Sequence, residues 1–368
     1  MNDAGLPLDG IEVLEFEGLG PAPLAGWMLA ALGARVTLVA RPGGRVGGPA
    51  GLSGQDGDLL RERKTVIECD LKAPASREAM LARIARADVL IEGYRPGVME
   101  RLGLGPFDCA ARRPSLVYAR MTGWGQQGPL AERAGHDLNY VALTGVLALA
   151  VKSGEAPVIP PTVIGDAGGA LGLAFGIVSA LLAARASGRG RVVDGAIVDV
   201  AAMLGALALW AREHGQLGTP DAASLFHDAP FYAVYRCADG AYVSLAALEP
   251  AFYRQFVERF GLDGVTVEAQ YERAAWPALK ARFAAHFAGE PAAVWCARFE
   301  GSDACVAPVL DFEAAARHAH LVAREVYSTT GEGALRVRVR VAPRFTWLGD
   351  DGDAGETRAT PRANSDEE

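Results

Sequence analysis

His136 and Asp166 are two side chains of this sequence with the chemistry and the setting to move a proton. His136-Asp137 follows Ala134-Gly135 and opens a predicted helix. Asp166 lies between Gly165 and Ala167-Gly168-Gly169, at the mouth of a long apolar segment. By residue type alone the default role of each is a helix cap. The small residues around both leave space for a substrate, and N–H groups at the glycine-flanked start suit a developing enolate oxygen. Glu249 precedes Pro250 at another predicted helix start, either as a cap or as a carboxylate that orients a histidine across a cleft.

A second set of residues is cationic. Arg41, Arg61, Arg63, Lys64 and Lys72 lie in or beside the loops after the second predicted strand. Arg41-Pro42-Gly43 stands at the carboxyl end of that strand, and Tyr94-Arg95-Pro96-Gly97 at the carboxyl end of another, with Arg101 one turn further on. Open α/β sheets bind ligands at those ends. Arginines at two adjacent ends suit a phosphate-bearing ligand, and Tyr94 can stack on a base; an ordinary solvated surface is the alternative. The Gly18-Leu19-Gly20 turn is like a dinucleotide fingerprint, but Pro21 and Pro23 lack the N–H groups a pyrophosphate needs. A tight strand–helix turn is therefore expected, without a nicotinamide or flavin cofactor.

These residues need a scaffold, and the sequence predicts an α/β one. Strands are expected at Ile11–Phe16, Arg35–Val39, Val89–Glu92 and Leu116–Met121, with helices at Leu24–Leu32 and Ser76–Ala87 between them. Strands alternating with helices point to a doubly wound, Rossmann-like sheet. Helical patterns follow at Leu138–Val151 and Ala167–Arg185, then a strand at Arg191–Val198 and a helix at Ala201–His214. Gln216–Asp228 is a polar connector. A hairpin over Pro230–Leu245 turning at Asp239-Gly240, and helices at Pro250–Phe260 and Trp276–Phe287, make a smaller α+β unit. The expected division is a large domain over 1–200, completed by about 325–368, a linker over 201–229 and a small domain over 230–321. The last dozen residues are expected to fray.

Composition narrows the function classes. The chain of 368 residues has a net charge of −8, which repels nucleic acid and anionic lipid. Its five cysteines (Cys69, Cys109, Cys237, Cys296 and Cys305) show no CxxC spacing, so neither a disulfide framework nor zinc is expected. No histidine pair has convincing ligand spacing, and no metal is assigned. The uncharged stretch Ala167–Ala184 approaches membrane-spanning length, but with no second span it reads as a buried helix of a cytoplasmic protein.

Read together, several stretches resemble the α-methylacyl-CoA racemases of the class III CoA-transferase superfamily. They include Leu8–Glu15, Asp88–Gly103 with its Tyr94-Arg95-Pro96-Gly97 core, Thr122-Gly123-Trp124-Gly125-Gln126, Gly135-His136-Asp137-Leu138-Asn139-Tyr140 and Gly165-Asp166. Ser187–Asp194, Cys237–Gly240, Glu249-Pro250 and Asp303–Leu310 continue the match, which runs from about residue 7 to about residue 345. The resemblance implies that His136 and Asp166 are acid/base residues and that Glu249 orients His136. It implies that Arg41, Tyr94, Arg95 and Arg101, with Arg61 and Lys72, hold the coenzyme A of the substrate, and that Asp137 sits near the thioester. It further implies an interlocked homodimer of the class III CoA-transferase fold, acting in fatty acid metabolism without a separate cofactor. An extra residue between Arg61 and Asp70 leaves Arg61, Arg63 and Lys64 as alternative phosphate contacts. The run before Asp166 is shorter than the family's. CoA transfer between carboxylic acids through an Asp166 intermediate is the competing activity, and a non-catalytic CoA-ester binder a third possibility.

Overall fold

The computed structural model describes residues 5–43, 58–150, 156–217, 223–330 and 336–347. Six strands, β1 (Glu12–Phe16), β2 (Arg35–Ala40), β3 (Lys64–Glu68), β4 (Val89–Glu92), β5 (Val117–Thr122) and β6 (Arg191–Ala196), form one sheet in the order β3-β2-β1-β4-β5-β6. Every pair in it is parallel. The order reverses between β1 and β4, so the chain leaves their carboxyl ends toward opposite faces of the sheet, and that switch point is the place where such sheets bind ligands. β4 and most of β5 are buried throughout, as strands covered on both faces must be.

Helices α1 (Pro21–Ala31) and α6 (Gly168–Ser187) cover one face, and α2 (Pro74–Ile84), α3 (Val98–Arg101) and α4 (Pro106–Arg112) lie on the other. Between β5 and β6 run α5 (Asp137–Leu143), a 3₁₀ turn at Leu147–Ala150 and a π-helical turn at Val163–Ala167. The glycines of α6 allow close packing. A Cβ at Gly172 would sit 2.5 Å from Val200 in α7 (Ile197–Leu204). The segment Val163–Ser187 is long and apolar enough to cross a membrane. Its inner side packs on the sheet, while Leu171, Phe175 and Leu182 on its outer side are exposed.

Beyond α8 (Ala206–Glu213) and α9 (Leu225–Asp228) comes a second layer pair. Strands β7 (Tyr232–Arg236), β8 (Tyr242–Ala246) and β9 (Val306–Pro308) form an antiparallel sheet covered by α10 (Pro250–Phe260), α11 (Trp276–Phe287) and α12 (Ala292–Phe299). Its core is aromatic, built around Phe256, Phe260, Phe283, Phe287 and Trp295. The chain then passes α13 (Phe312–Ala315) and α14 (Ala319–Ala323) to the hairpin of β10 (Tyr327–Thr330) and β11 (Arg336–Val339). Arg338 Nε donates to Glu62 Oε1 at 2.7 Å, tying that hairpin to the chain just before β3.

Three expectations change. Lys64–Glu68 is a strand rather than a loop, so Val89–Glu92 is the fourth strand and not the third. The helix expected over Ala201–His214 begins at Ile197 and breaks at Gly205 into α7 and α8. The helical stretch expected to Val151 stops at Leu143 before the 3₁₀ turn; Val151 itself, residues 218–222 of the connector and residues 348–368 lie outside the described residues.

Candidate active site

His136 is the N-cap of α5 in extended conformation, and its own N–H donates to Asn139 Oδ1 at 3.1 Å. Tyr140, one turn later, holds that entry. Its hydroxyl donates to the Gly135 carbonyl, and its ring meets Trp124 edge-on at 4.7 Å. A Cβ at Gly123 would lie 1.9 Å from the Tyr140 ring and one at Gly135 2.7 Å from it. Glycine at both positions is thus a packing requirement for the loop that presents the imidazole, which is exposed.

Asp166 is not a helix cap. It sits inside the π-helical turn Val163–Ala167, the kind of local irregularity found at functional sites. Its N–H donates to Asp137 Oδ1 at 2.7 Å, and the Ala167 N–H goes to the Thr162 carbonyl at 2.8 Å. The Gly168 N–H is taken by the carbonyls of Gly165 and Val163. The glycine-flanked start therefore has these donors already committed, contrary to the expectation that they await an enolate. Burial pushes the Asp166 carboxyl up from its ordinary value; the Asp137 carboxylate adds to the rise and His136 opposes it. His136, Asp137 and Asp166 thus share one electrostatic site. Gly20, at the turn after β1, faces the same carboxylate: its Cβ would lie 3.3 Å from Asp166 Oδ2.

Glu249 is the exposed N-cap of α10. Among the described residues of the single chain it neither hydrogen-bonds nor ion-pairs with His136. Its neighbours are Tyr271 and Cys305, whose ionisable groups its charge pushes up, second to burial.

The cationic set divides. At the carboxyl ends of β1, β2 and β4, Glu17 Oε2 accepts the Arg41 N–H at 3.2 Å, and Glu17 also ion-pairs with Arg61. Tyr94 belongs to this cluster, its hydroxyl pushed up by burial and Glu92 and drawn down by Arg41. Arg95, in the loop that follows β4, and Arg101, at the end of α3, are exposed. Lys72 is exposed after β3, the outermost strand, farthest in sheet order from β4. Lys64 leaves the set of phosphate contacts. Its side chain is fully buried, ion-paired to Glu15 at 2.7 Å, and it donates to the Pro23 carbonyl at 2.8 Å.

Sequence reasoning missed the carboxylates beneath the site. Glu15, next to last in β1, and Glu92, at the end of β4, are completely buried, and Arg120 on β5 is nearly so. The available signal was a charge inside an otherwise apolar strand, where an ionised side chain survives only with a partner.

The arrangement has relatives. Human α-methylacyl-CoA racemase is 39% identical over 335 residues, covering 89% of this chain and 84% of that protein. The mouse racemase is 40% identical over 333 residues, covering 88% and 83%. A crystal structure of Rv3272 from Mycobacterium tuberculosis superposes with a TM-score of 0.73 at 27% identity, over 92% of this chain and 93% of that one. The model of CoA-transferase family III matches residues 8–367. With the six-stranded sheet, the Asp166 turn and a family match across nearly its whole length, this chain belongs to CoA-transferase family III.

Proposed function

We propose that the protein is a racemase of 2-methylacyl-CoA thioesters, working by proton transfer at the carbon next to the thioester. The observation that carries this is the shared site of His136 and Asp166, two acid/base groups from different segments that meet at the switch point of the sheet. The 39–40% identity to proteins named α-methylacyl-CoA racemase supports the substrate class.

In one direction the neutral His136 imidazole takes the α-proton, and the C–H electrons pass into the enolate C=C bond with charge on the thioester oxygen. Protonated Asp166 then delivers its proton to the opposite face, and the electrons return to form the new C–H bond. In the other direction the roles exchange. The raised Asp166 carboxyl suits this, because it holds a proton to higher pH than an ordinary carboxylate. The donors for the enolate oxygen are the N–H groups of Asp137 and Leu138 in the first turn of α5, since the Asn139 N–H is already taken by the His136 carbonyl at 2.8 Å. Nothing is oxidised, so no redox cofactor is needed, and coenzyme A enters as part of the substrate.

Arg41, Tyr94, Arg95 and Arg101 are proposed to hold the nucleotide end, with Arg61 partly neutralised by Glu17 and Lys72 peripheral. Glu249 is proposed to orient His136 from a second copy of the chain in an interlocked homodimer. Its exposure and the exposed apolar side chains Leu171, Phe175 and Leu182 on α6 and Leu207 and Trp210 on α8 support that assembly.

The test is incubation of each configuration of a 2-methylacyl-CoA in deuterated water. Interconversion with deuterium at the α-carbon is expected, and His136→Ala is expected to slow it by about two to four orders of magnitude. With a CoA donor present, a hydroxamate left on Asp166 by hydroxylamine, which displaces the acyl or CoA group from the activated carboxyl, and no deuterium in the product would replace racemisation with CoA transfer.

A further inference from the structure

We propose that Arg120 is a positioning residue for the nucleotide end of the CoA ester, holding both ends of the loop from Tyr94 to Arg101 through Glu92 and Glu100. The proposal rests on the reading that this loop binds the nucleotide, and its test is arranged so that the two fail separately.

Glu92 and Arg120 are cross-strand partners at the carboxyl ends of β4 and β5. Glu92 is completely buried and the Arg120 side chain is 7% exposed, so each charge requires a partner. Arg120 Nε donates to Glu92 Oε1 at 2.8 Å. The other oxygen of Glu92 accepts the Tyr94 N–H at 2.7 Å, which fixes where the loop leaves the strand. The far edge of the same guanidinium takes Glu100, with Nη1 to Oε1 at 2.8 Å and Nη2 to Oε2 at 3.3 Å. Glu100 precedes Arg101 in α3, where the loop ends.

One planar, always-charged fork therefore spans the start and the finish of the segment that carries Tyr94, Arg95 and Arg101. Lysine, with a single ammonium, cannot satisfy two carboxylates along two edges. The charges also sort by role. Arg120 is spent on two carboxylates beneath the loop, and Glu100 is held below the usual carboxylate range chiefly by its bond to Arg120. Arg95 and Arg101 remain exposed on the solvent side. Gly97, at φ +80°, makes the bend between them, and a Cβ there would come within 3.1 Å of Arg101 Nη1. A loop held so tightly at both ends presents its arginines with little ordering left to do on binding.

The test is calorimetric titration of free coenzyme A and, separately, of pantetheine, which lacks the nucleotide. It uses the full-length wild type and the variants Glu100→Ala, Arg120→Lys and Arg120→Met. Glu100→Ala leaves the buried Glu92–Arg120 pair intact and serves if Arg120→Met fails to fold. The expected result is a roughly 10- to 100-fold weaker affinity for coenzyme A with pantetheine affinity unchanged, and incomplete rescue by lysine. In kinetics with an acyl-CoA the same variants are expected to raise KM and to leave kcat within about threefold. Equal losses for both ligands, or no loss for coenzyme A in Glu100→Ala, would overturn the proposal. So would a wild type that fails to bind coenzyme A. A wild type that binds coenzyme A yet does not racemise would sink the proposed activity and leave the role of Arg120 standing.

Discussion

The Asp137 carboxylate accepts the backbone N–H of Asp166 at 2.7 Å, so one acidic residue holds the other by its main chain and not by its side chain. The Asp166 carboxyl is not used in that bond, while the nearby negative charge works with burial to push it up from the ordinary carboxylate value. Asp137 stands directly after His136, and the same helix start thereby sets the position of both His136 and Asp166.

Asp137→Asn is expected to lower the Asp166 pKa, because it keeps an acceptor oxygen and removes the charge. In the proposed reaction Asp166 acts as the base in one direction, so a lower Asp166 pKa is expected to move the acid limb of that direction's rate profile to lower pH. Stability follows the same proton. Asp166 has a folded pKa above its unfolded one, so the folded state binds more protons, and stability falls as pH rises from the ordinary carboxylate value to the raised one. That fall is expected to shrink in Asp137→Asn, measured by denaturant titration across the window.

Gly165→Ala places a Cβ 2.2 Å from Asp137 Oδ1. The hydrogen bond to Asp166 cannot persist without a shift of the π-turn. Catalysis that depends on placement within an ångström is expected to fall by about 10²-fold, with coenzyme A binding retained in calorimetry.

Lys64→Met is expected to cost about 3–5 kcal/mol in denaturant unfolding, since it strands Glu15 without a counter-ion in a fully buried site. Burial already pushes Glu15 up to about 7 despite Lys64. A protonated Glu15 needs no counter-ion, so the deficit is expected to be smaller at pH 5 than at pH 8. The double variant Glu15→Gln, Lys64→Met is expected to recover most of the loss.

Arg95→Ala and Arg101→Ala are expected to weaken coenzyme A binding, with a flatter dependence on ionic strength than the wild type, because each removes an exposed cation proposed to meet the ligand's phosphates. Unchanged affinity in both variants would take these residues out of the site.

Much of this design was readable along the chain. Strand and helix patterns alternate locally, so the doubly wound sheet, the exact extents of Val89–Glu92, Pro250–Phe260 and Trp276–Phe287, and the hairpin at Asp239-Gly240 could be read from neighbours alone. In a parallel sheet all strands run the same way, so residues following them, such as Arg41 and Tyr94-Arg95, must gather at one edge. His136, Asp137 and Asp166 were recognisable by motif.

What the tertiary structure decided was the partner of each charge. Lys64 looked like a surface cation because its neighbours Arg61 and Arg63 are charged, and its burial depends on Glu15, two strands away in sheet order. The edge strand β3 escaped notice for the same reason, its stability coming from pairing with β2 and not from an apolar run. Asp166 read as a cap because its π-turn is held by Asp137 from another helix. Glu92 and Arg120 meet only through the register of β4 on β5, and Glu100, in α3, reaches the same guanidinium only through its side chain. Local pattern reports which residues can be buried or charged; which charge meets which is set by contacts distant in sequence, and there the cost of desolvation admits few pairings.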